Sequence, residues 1–143
     1  MMRRWGQSAG VAVAALVIGG ALAASGSVVA GVVLFLLLAA LAVASSPRAF
    51  PRSITDAEAR TRSAADGRPI VYWRPGCPFC MRLRAATARE AGQFHWVDIW
   101  ADPEGAASVR AVADGNETVP TVITPTEAMV NPSPDRVRAL AHS

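Results

Sequence analysis

Apolar positions fall into two regimes along this chain. Residues 8–24 and 28–44 are two uncharged apolar stretches, the second centred on Val33, Leu34, Phe35, Leu36, Leu37 and Leu38, with Ser25, Gly26 and Ser27 between them. A single helix over residues 8–44 would be about 55 Å long at ~1.5 Å per residue, far beyond a hydrocarbon core of about 30 Å. Two helices of roughly 25 Å each would span with little tilt. The pattern therefore predicts a transmembrane helical hairpin over residues 1–44, with Gly10, Gly19, Gly20 and Gly31 letting the helices approach.

Beyond Pro47 the periodicity changes. Residues 45–67 read as a linker: Pro51 keeps its start irregular, and Thr55-Asp56-Ala57-Glu58 fits a capping box for a short helix over about 56–65. The folded domain then runs over 68–143. Ile70 to Trp73 is a first strand after the Asp66-Gly67 turn, and a helix opens at Pro78, with Phe79, Leu83 and Ala86 at helical spacing down to about Ala91. His95-Trp96-Val97-Asp98-Ile99-Trp100 alternates as a second strand. Asp102-Pro103-Glu104 starts a helix with Ala106, Val109 and Val112 or Ala113 inward, stopped by Gly115. Thr121 to Ile123 and Ala128 to Val130 are short strands. Ser133 caps a last helix with Val137, Leu140 and Ala141 inward. The order β-α-β-α-β-β-α makes this an α/β domain of roughly 75 to 80 residues, near the size where one core becomes marginal.

Charge settles the expected orientation. Of 143 residues, 52% are hydrophobic and the net charge is +3, with every Lys/Arg position an arginine. Arg3 and Arg4 flank the first stretch, and Arg48, Arg52, Arg60 and Arg62 follow the second; the intervening turn has none. The positive-inside rule places both termini in the cytoplasm. The expectation is a multi-pass inner-membrane protein with lipid as a partner and its catalytic domain cytoplasmic. A secretory signal peptide competes, with residues 11–20 as its apolar core and Ala21-Leu22-Ala23 as the cleavage motif. If the first stretch fails to insert, the domain faces outward and a disulfide oxidase or isomerase becomes the alternative. The basic excess is too mild, and too scattered, to indicate nucleic acid.

The chemistry sits in Cys77-Pro78-Phe79-Cys80, which holds every cysteine of the chain. Between a strand and a helix, this spacing reads as a redox centre. Cys77, just before the helix, receives backbone N–H groups and the dipole, which favour the thiolate. Cys80, almost one turn further in, is placed to resolve a mixed disulfide. Arg74 either partners the thiolate or a substrate carboxylate, or is a solvated charge at a strand end. Phe79 either stacks on substrate or packs the helix. Trp73 and Trp100 either flank the groove or pack the core. Zinc needs two more ligands, and His95 and His142 lie on unrelated elements; a dithiol that only grips metal is the non-enzymatic alternative. Thr118-Val119-Pro120-Thr121 suggests a cis Val119–Pro120 bond, a form largely confined to proline, whose loop would hold an extended thiol substrate beside Cys77 through Thr118, Val119 and Pro120.

Residues 72–80, Asp98-Ile99, residues 115–121 and Asn131-Pro132-Ser133 together resemble the glutaredoxin branch of the thioredoxin fold, and within it the mycoredoxins and related actinobacterial proteins. The likeness covers about residues 68–142 and leaves the hairpin outside. It implies that Cys77 takes a low-molecular-weight thiol from a protein mixed disulfide, and that a second thiol or Cys80 then releases it, with no prosthetic group and no metal. Glutathione-using members show Gly-Gly-x-Asp before the last helix. Asn131-Pro132-Ser133-Pro134-Asp135 stands here instead, so mycothiol fits the resemblance better.

Overall fold

The computed structural model describes residues 2–44 and 50–142, with side chains from Ala9 to Val43 and from Phe50 onward. The expectations resting on Arg3, Arg4, Arg48 and the Ser45-Ser46-Pro47 break lie outside the described side chains. Two compact units divide at residues 49 and 50.

The first unit is a helical hairpin, α1 (Met2–Ala24) and α2 (Val28–Ala44). Gly26 turns the chain at φ 89°, and Ser27 N–H donates to the Leu22 carbonyl at 3.1 Å. Close approach is localised: a Cβ on Gly31 would lie 2.8 Å from the Gly19 carbonyl oxygen. Gly10 and Gly20 face open space, so only two of the four expected glycines serve the contact. The outward faces stay apolar, with Leu16, Val17, Val29, Leu36 and Leu37 exposed.

Among the described residues, no helix is long and apolar enough to cross a membrane. The 17 residues of α2 reach about 25 Å at ~1.5 Å per residue, short of a hydrocarbon core of about 30 Å. In α1 the described apolar run, residues 9–24, is shorter still and diluted by glycine and alanine. This corrects the expected transmembrane spans, the multi-pass inner-membrane location and the lipid partner. The cytoplasmic orientation rested on the same spans and is corrected with them.

The second unit contains α3 (Asp56–Asp66), β1 (Ile70–Trp73), α4 (Pro78–Ala86), β2 (His95–Asp98), α5 (Pro103–Val112), β3 (Thr121–Ile123), β4 (Ala128–Val130) and α6 (Pro134–Leu140). The expected β-α-β-α-β-β-α order is present, in a four-stranded sheet ordered β2-β1-β3-β4. β1 pairs parallel with β2 and antiparallel with β3, which pairs antiparallel with β4. All residues of β1 and β2 are buried, as strands covered on both faces require. Short polar signals set the helix starts: Thr55, Asp102 and Ser133 each accept an N–H from the first turn.

The helices pair across the sheet. α3 packs with α5, and α4 with α6. A Cβ on Gly105 would meet Val97 Cγ1 at 2.7 Å, so α5 seats directly on the sheet at glycine. Asp56 ties this layer together: its carboxylate accepts from the buried Tyr72 hydroxyl at 2.6 Å and from Arg60 at 2.8 Å. Arg60 also donates to Ser108 of α5 at 2.8 Å, and the Asp56 N–H reaches the Asp102 carboxylate. Burial and the adjacent carboxylate push the Tyr72 phenol well above its ordinary range, so it stays a donor.

Two expectations are corrected here. The α4 helix ends at Ala86 rather than near Ala91, because Thr87 bonds back to the Leu83 carbonyl and Arg138 of α6 takes the Ala86 carbonyl at 2.9 Å. In α5, by contrast, the expected inward stripe is present: Ala106 and Val109 are buried, and of the two alternatives at its end Ala113 is buried and Val112 exposed. Finally, residues 50–67 are part of the folded unit rather than a linker. Phe50 stacks on Trp73 with centroids 3.8 Å apart, and the Ile54 N–H donates to the Trp96 carbonyl at 3.0 Å, covering the outer edge of β2. Phe50→Ala should lower unfolding stability by about 3 kcal/mol, as for other buried aromatics. Denaturant titration measures it, and an unchanged midpoint would show that this segment does not pack.

Candidate active site

Cys77 occupies the N-cap of α4, with Pro78 in the first turn. Gly76 precedes it at φ 73°, a conformation open to glycine, which turns the chain from the end of β1 into the helix. The cap places the sulfur over the helix N-terminus: Cys77 Sγ accepts the Cys80 N–H at 3.1 Å. On its other side lies the Val119 carbonyl, 3.4 Å from Sγ, to which the thiol donates. The Val119–Pro120 bond is cis, as expected. The Thr121 hydroxyl bonds to the Thr118 carbonyl at 2.8 Å, and the Asn131 N–H to the Pro120 carbonyl at 2.8 Å, holding this loop from two strands.

The two sulfurs are electrostatically unequal. Hydrogen bonding from the Cys80 thiol is the largest influence lowering Cys77, followed by the Cys80 N–H, the Arg74 charge and the Phe79 N–H; burial opposes them. The Cys77 thiol is lowered to about 6. Cys80 moves the opposite way, held protonated by donating to Cys77, by burial and by repulsion from the Cys77 charge. At neutral pH the pair is therefore one thiolate and one thiol, the two states that nucleophilic attack and later resolution need. The sequence pointed to the helix terminus and Arg74; the donor role of Cys80's own side chain was not anticipated.

Both cysteines are free thiols and mostly buried, Cys77 being 6% exposed and Cys80 1%. Cys77 forms part of the wall of a groove of about 460 Å³. Arg74, Phe79, Thr118 and Val119 share that wall, so the structure brings together most of the residues singled out from the sequence. Phe79 is 53% exposed and is not a helix-packing residue. Pro120 is buried behind the loop, and presents Val119 rather than lining the groove. Asn116, Glu117 and Asn131 also line it and were missed as site residues, although they lie within the quoted motifs. Glu117 is paired to Arg110 at 2.7 Å.

The tryptophans separate. Trp73 is a core residue, stacked on Phe50 with its indole N–H on Ser53. Trp100 lies beneath Arg74, whose guanidinium carbon is 5.6 Å from the ring centroid. His95 is buried against the Asp66 carboxylate at 3.0 Å, a structural pair away from the groove. Among the described residues, no group of three or more His, Cys, Asp or Glu is placed to hold a metal ion.

The glutaredoxin family model matches residues 70–128, which include both cysteines and the cis-proline loop. Two Mycobacterium tuberculosis proteins, each named "Putative glutaredoxin", from strains CDC 1551 / Oshkosh and ATCC 25618 / H37Rv, are each 36% identical over 70 residues. That alignment covers 48% of this chain and 83% of each relative. The chain belongs to the glutaredoxin family. It is a thiol–disulfide oxidoreductase, with thiols and protein disulfides as its reaction partners. No solved structure matches it.

A depressed thiol stabilises the reduced glutaredoxin unit in a definite pH window. The contribution is fully present above the unfolded thiol's value of about 8.5 and is lost as pH falls through the folded value, here about 6. Cys80→Ala removes the largest donor and should raise the Cys77 midpoint by about one unit or more, whereas Cys80→Ser keeps a hydroxyl donor and should shift it less. The pH profile of iodoacetamide alkylation reads both. An unchanged midpoint in Cys80→Ala would assign the effect to the backbone and Arg74 instead.

Proposed function

We propose that Cys77 is the nucleophile and Cys80 the resolving thiol of a reductase for mixed disulfides, working with mycothiol in preference to glutathione. The observation carrying this reading is the N-cap position of Cys77, with the Cys80 amide at 3.1 Å and the sulfur open to a groove. The Cys77 thiolate attacks the small-thiol sulfur of a protein mixed disulfide. A new S–S bond forms to Cys77, the old S–S bond breaks, and the protein leaves as a thiolate that takes a proton from water. A second small thiol, as its thiolate, then attacks the sulfur of the thiol bound to Cys77, giving the small-thiol disulfide and freeing the Cys77 thiolate; alternatively Cys80, after losing its proton, attacks Cys77 Sγ, releasing the bound thiol and forming a Cys77–Cys80 disulfide that two further small thiols reduce. Electrons come from the small thiol, and no prosthetic group is required.

The Val119 carbonyl supplies a docking point beside the sulfur, since ionisation of Cys77 removes the thiol donor and leaves this acceptor for an N–H of an extended substrate. Phe79 offers an exposed ring at the rim, and Thr118 and Arg74 offer polar contacts. Two features favour mycothiol. Asn116, Thr118 and Asn131 give the groove neutral amide and hydroxyl groups suited to sugar hydroxyls. Where glutathione-using relatives keep a Gly-Gly-x-Asp grip, Ser133 caps α6 by accepting from Arg136, and the Asp135 side chain is 89% exposed, 3.5 Å from Arg138.

A Cys80→Ser variant offered matched mycothiol and glutathione mixed disulfides tests the reading. Turnover should be at least roughly tenfold higher with mycothiol, the ratio that one or two unmatched polar contacts supply, and Cys77→Ser should abolish both. Equal turnover would remove the thiol preference. Absence of reaction at Cys77 with either thiol would overturn the catalytic assignment.

A further inference from the structure

We propose that Trp100 is a positioning residue for the reaction: its indole face holds the Arg74 guanidinium beside Cys77. The inference deepens the proposed function, because it rests on Cys77 being the nucleophile.

Topology brings the pair together. Arg74 follows β1 and Trp100 follows β2, and these strands are parallel neighbours with Trp73 opposite Asp98. The Ile99 N–H donates to the Trp73 carbonyl at 3.0 Å, carrying the pairing one residue further. The turn that carries the indole is fixed through its backbone. The Trp100 backbone N–H donates to the carboxylate of the buried Asp98 at 2.9 Å, and the Ala101 and Asp102 backbone N–H groups both reach the Asp98 carbonyl at 3.0 Å. Trp100 itself packs half-buried against the core. The result is an aromatic plate set at the rim, rather than a loose side chain.

Arg74 Cζ lies 5.6 Å from the centre of that plate, within the distance of about 6 Å at which a ring quadrupole attracts a cation. An arginine at a strand end otherwise distributes its charge over many rotamers, and its average field at a nearby sulfur weakens accordingly. Stacking confines the guanidinium to the groove wall it shares with Cys77. Glu117, the carboxylate on that wall, is occupied by Arg110 of α5. The Arg74 charge thus remains available to the thiolate, whose ionisation it favours.

Ultraviolet thiolate absorbance against pH, in the reduced full-length chain, tests the proposal without any thiol substrate. Trp100→Leu should raise the Cys77 midpoint by roughly half a unit, and Trp100→Phe, which keeps a ring, by less. In an Arg74→Met background Trp100→Leu should add nothing, since the charge it positions is gone. An unchanged midpoint in Trp100→Leu, or a shift that simply adds to that of Arg74→Met, would overturn the proposal. Circular dichroism checks folding. If Trp100→Leu does not fold, Trp100→Phe alone and with Arg74→Met supplies the same comparison, with the same outcomes deciding. Failure of the thiol-exchange reading would appear in turnover, so the two cannot be confused.

Discussion

A sulfur at the N-cap of α4, accepting one hydrogen bond from the Cys80 amide and another from the Cys80 thiol, is the constraint around which the redox unit is arranged. Burial alone would keep Cys77 protonated, because a charge removed from water is unfavourable. Donors convergent on the sulfur reverse that balance, and the same hydrogen bond that favours ionisation of Cys77 disfavours it at Cys80. One interaction thereby separates two identical side chains into an ionised group and a protonated one. It needs Gly76 to turn the chain and Pro78 to begin the helix, with Val119 facing the sulfur from the loop before β3.

The remainder of the unit keeps those pieces in register. Parallel pairing of β1 and β2 sets Arg74 beside Trp100, and the antiparallel β3 delivers the cis-proline loop to the end of α4. Asp56 clamps α3 to β1 and α5, two residues along the strand from Arg74. The segment from Phe50 to Ile54 protects the β2 edge and fills the space against Trp73. Buried polar groups of this kind offset their desolvation cost only when satisfied, and Tyr72, Asp56, Arg60 and Ser108 satisfy one another.

What could be read from the chain was governed by the range of each signal. The caps at Thr55, Asp102 and Ser133, the prolines Pro78, Pro103 and Pro134 at helix starts and the short strands at Thr121 and Ala128 are local, and the structure places them where expected. The cis bond was legible because proline and its neighbours announce it. Contacts set by tertiary pairing were not. Nothing near Phe50 indicates that it will stack on Trp73, and Pro51 argues locally for irregular chain. Arg138 ending α4 is a contact across 52 residues. The apolar stretches misled differently: their hydrophobicity was evident, but among the described residues neither helix is long and apolar enough for a span.

Carbon-13 NMR titration of the two cysteine Cβ resonances in the reduced chain bears most directly on the central claim, because it assigns each ionisation to its own residue. Cys77 should titrate with a midpoint near 6 while Cys80 stays protonated well past the range of an ordinary thiol. Ionisation of Cys77 at or above about 8.5, the value of an unperturbed thiol, or of Cys80 before Cys77, would contradict the account.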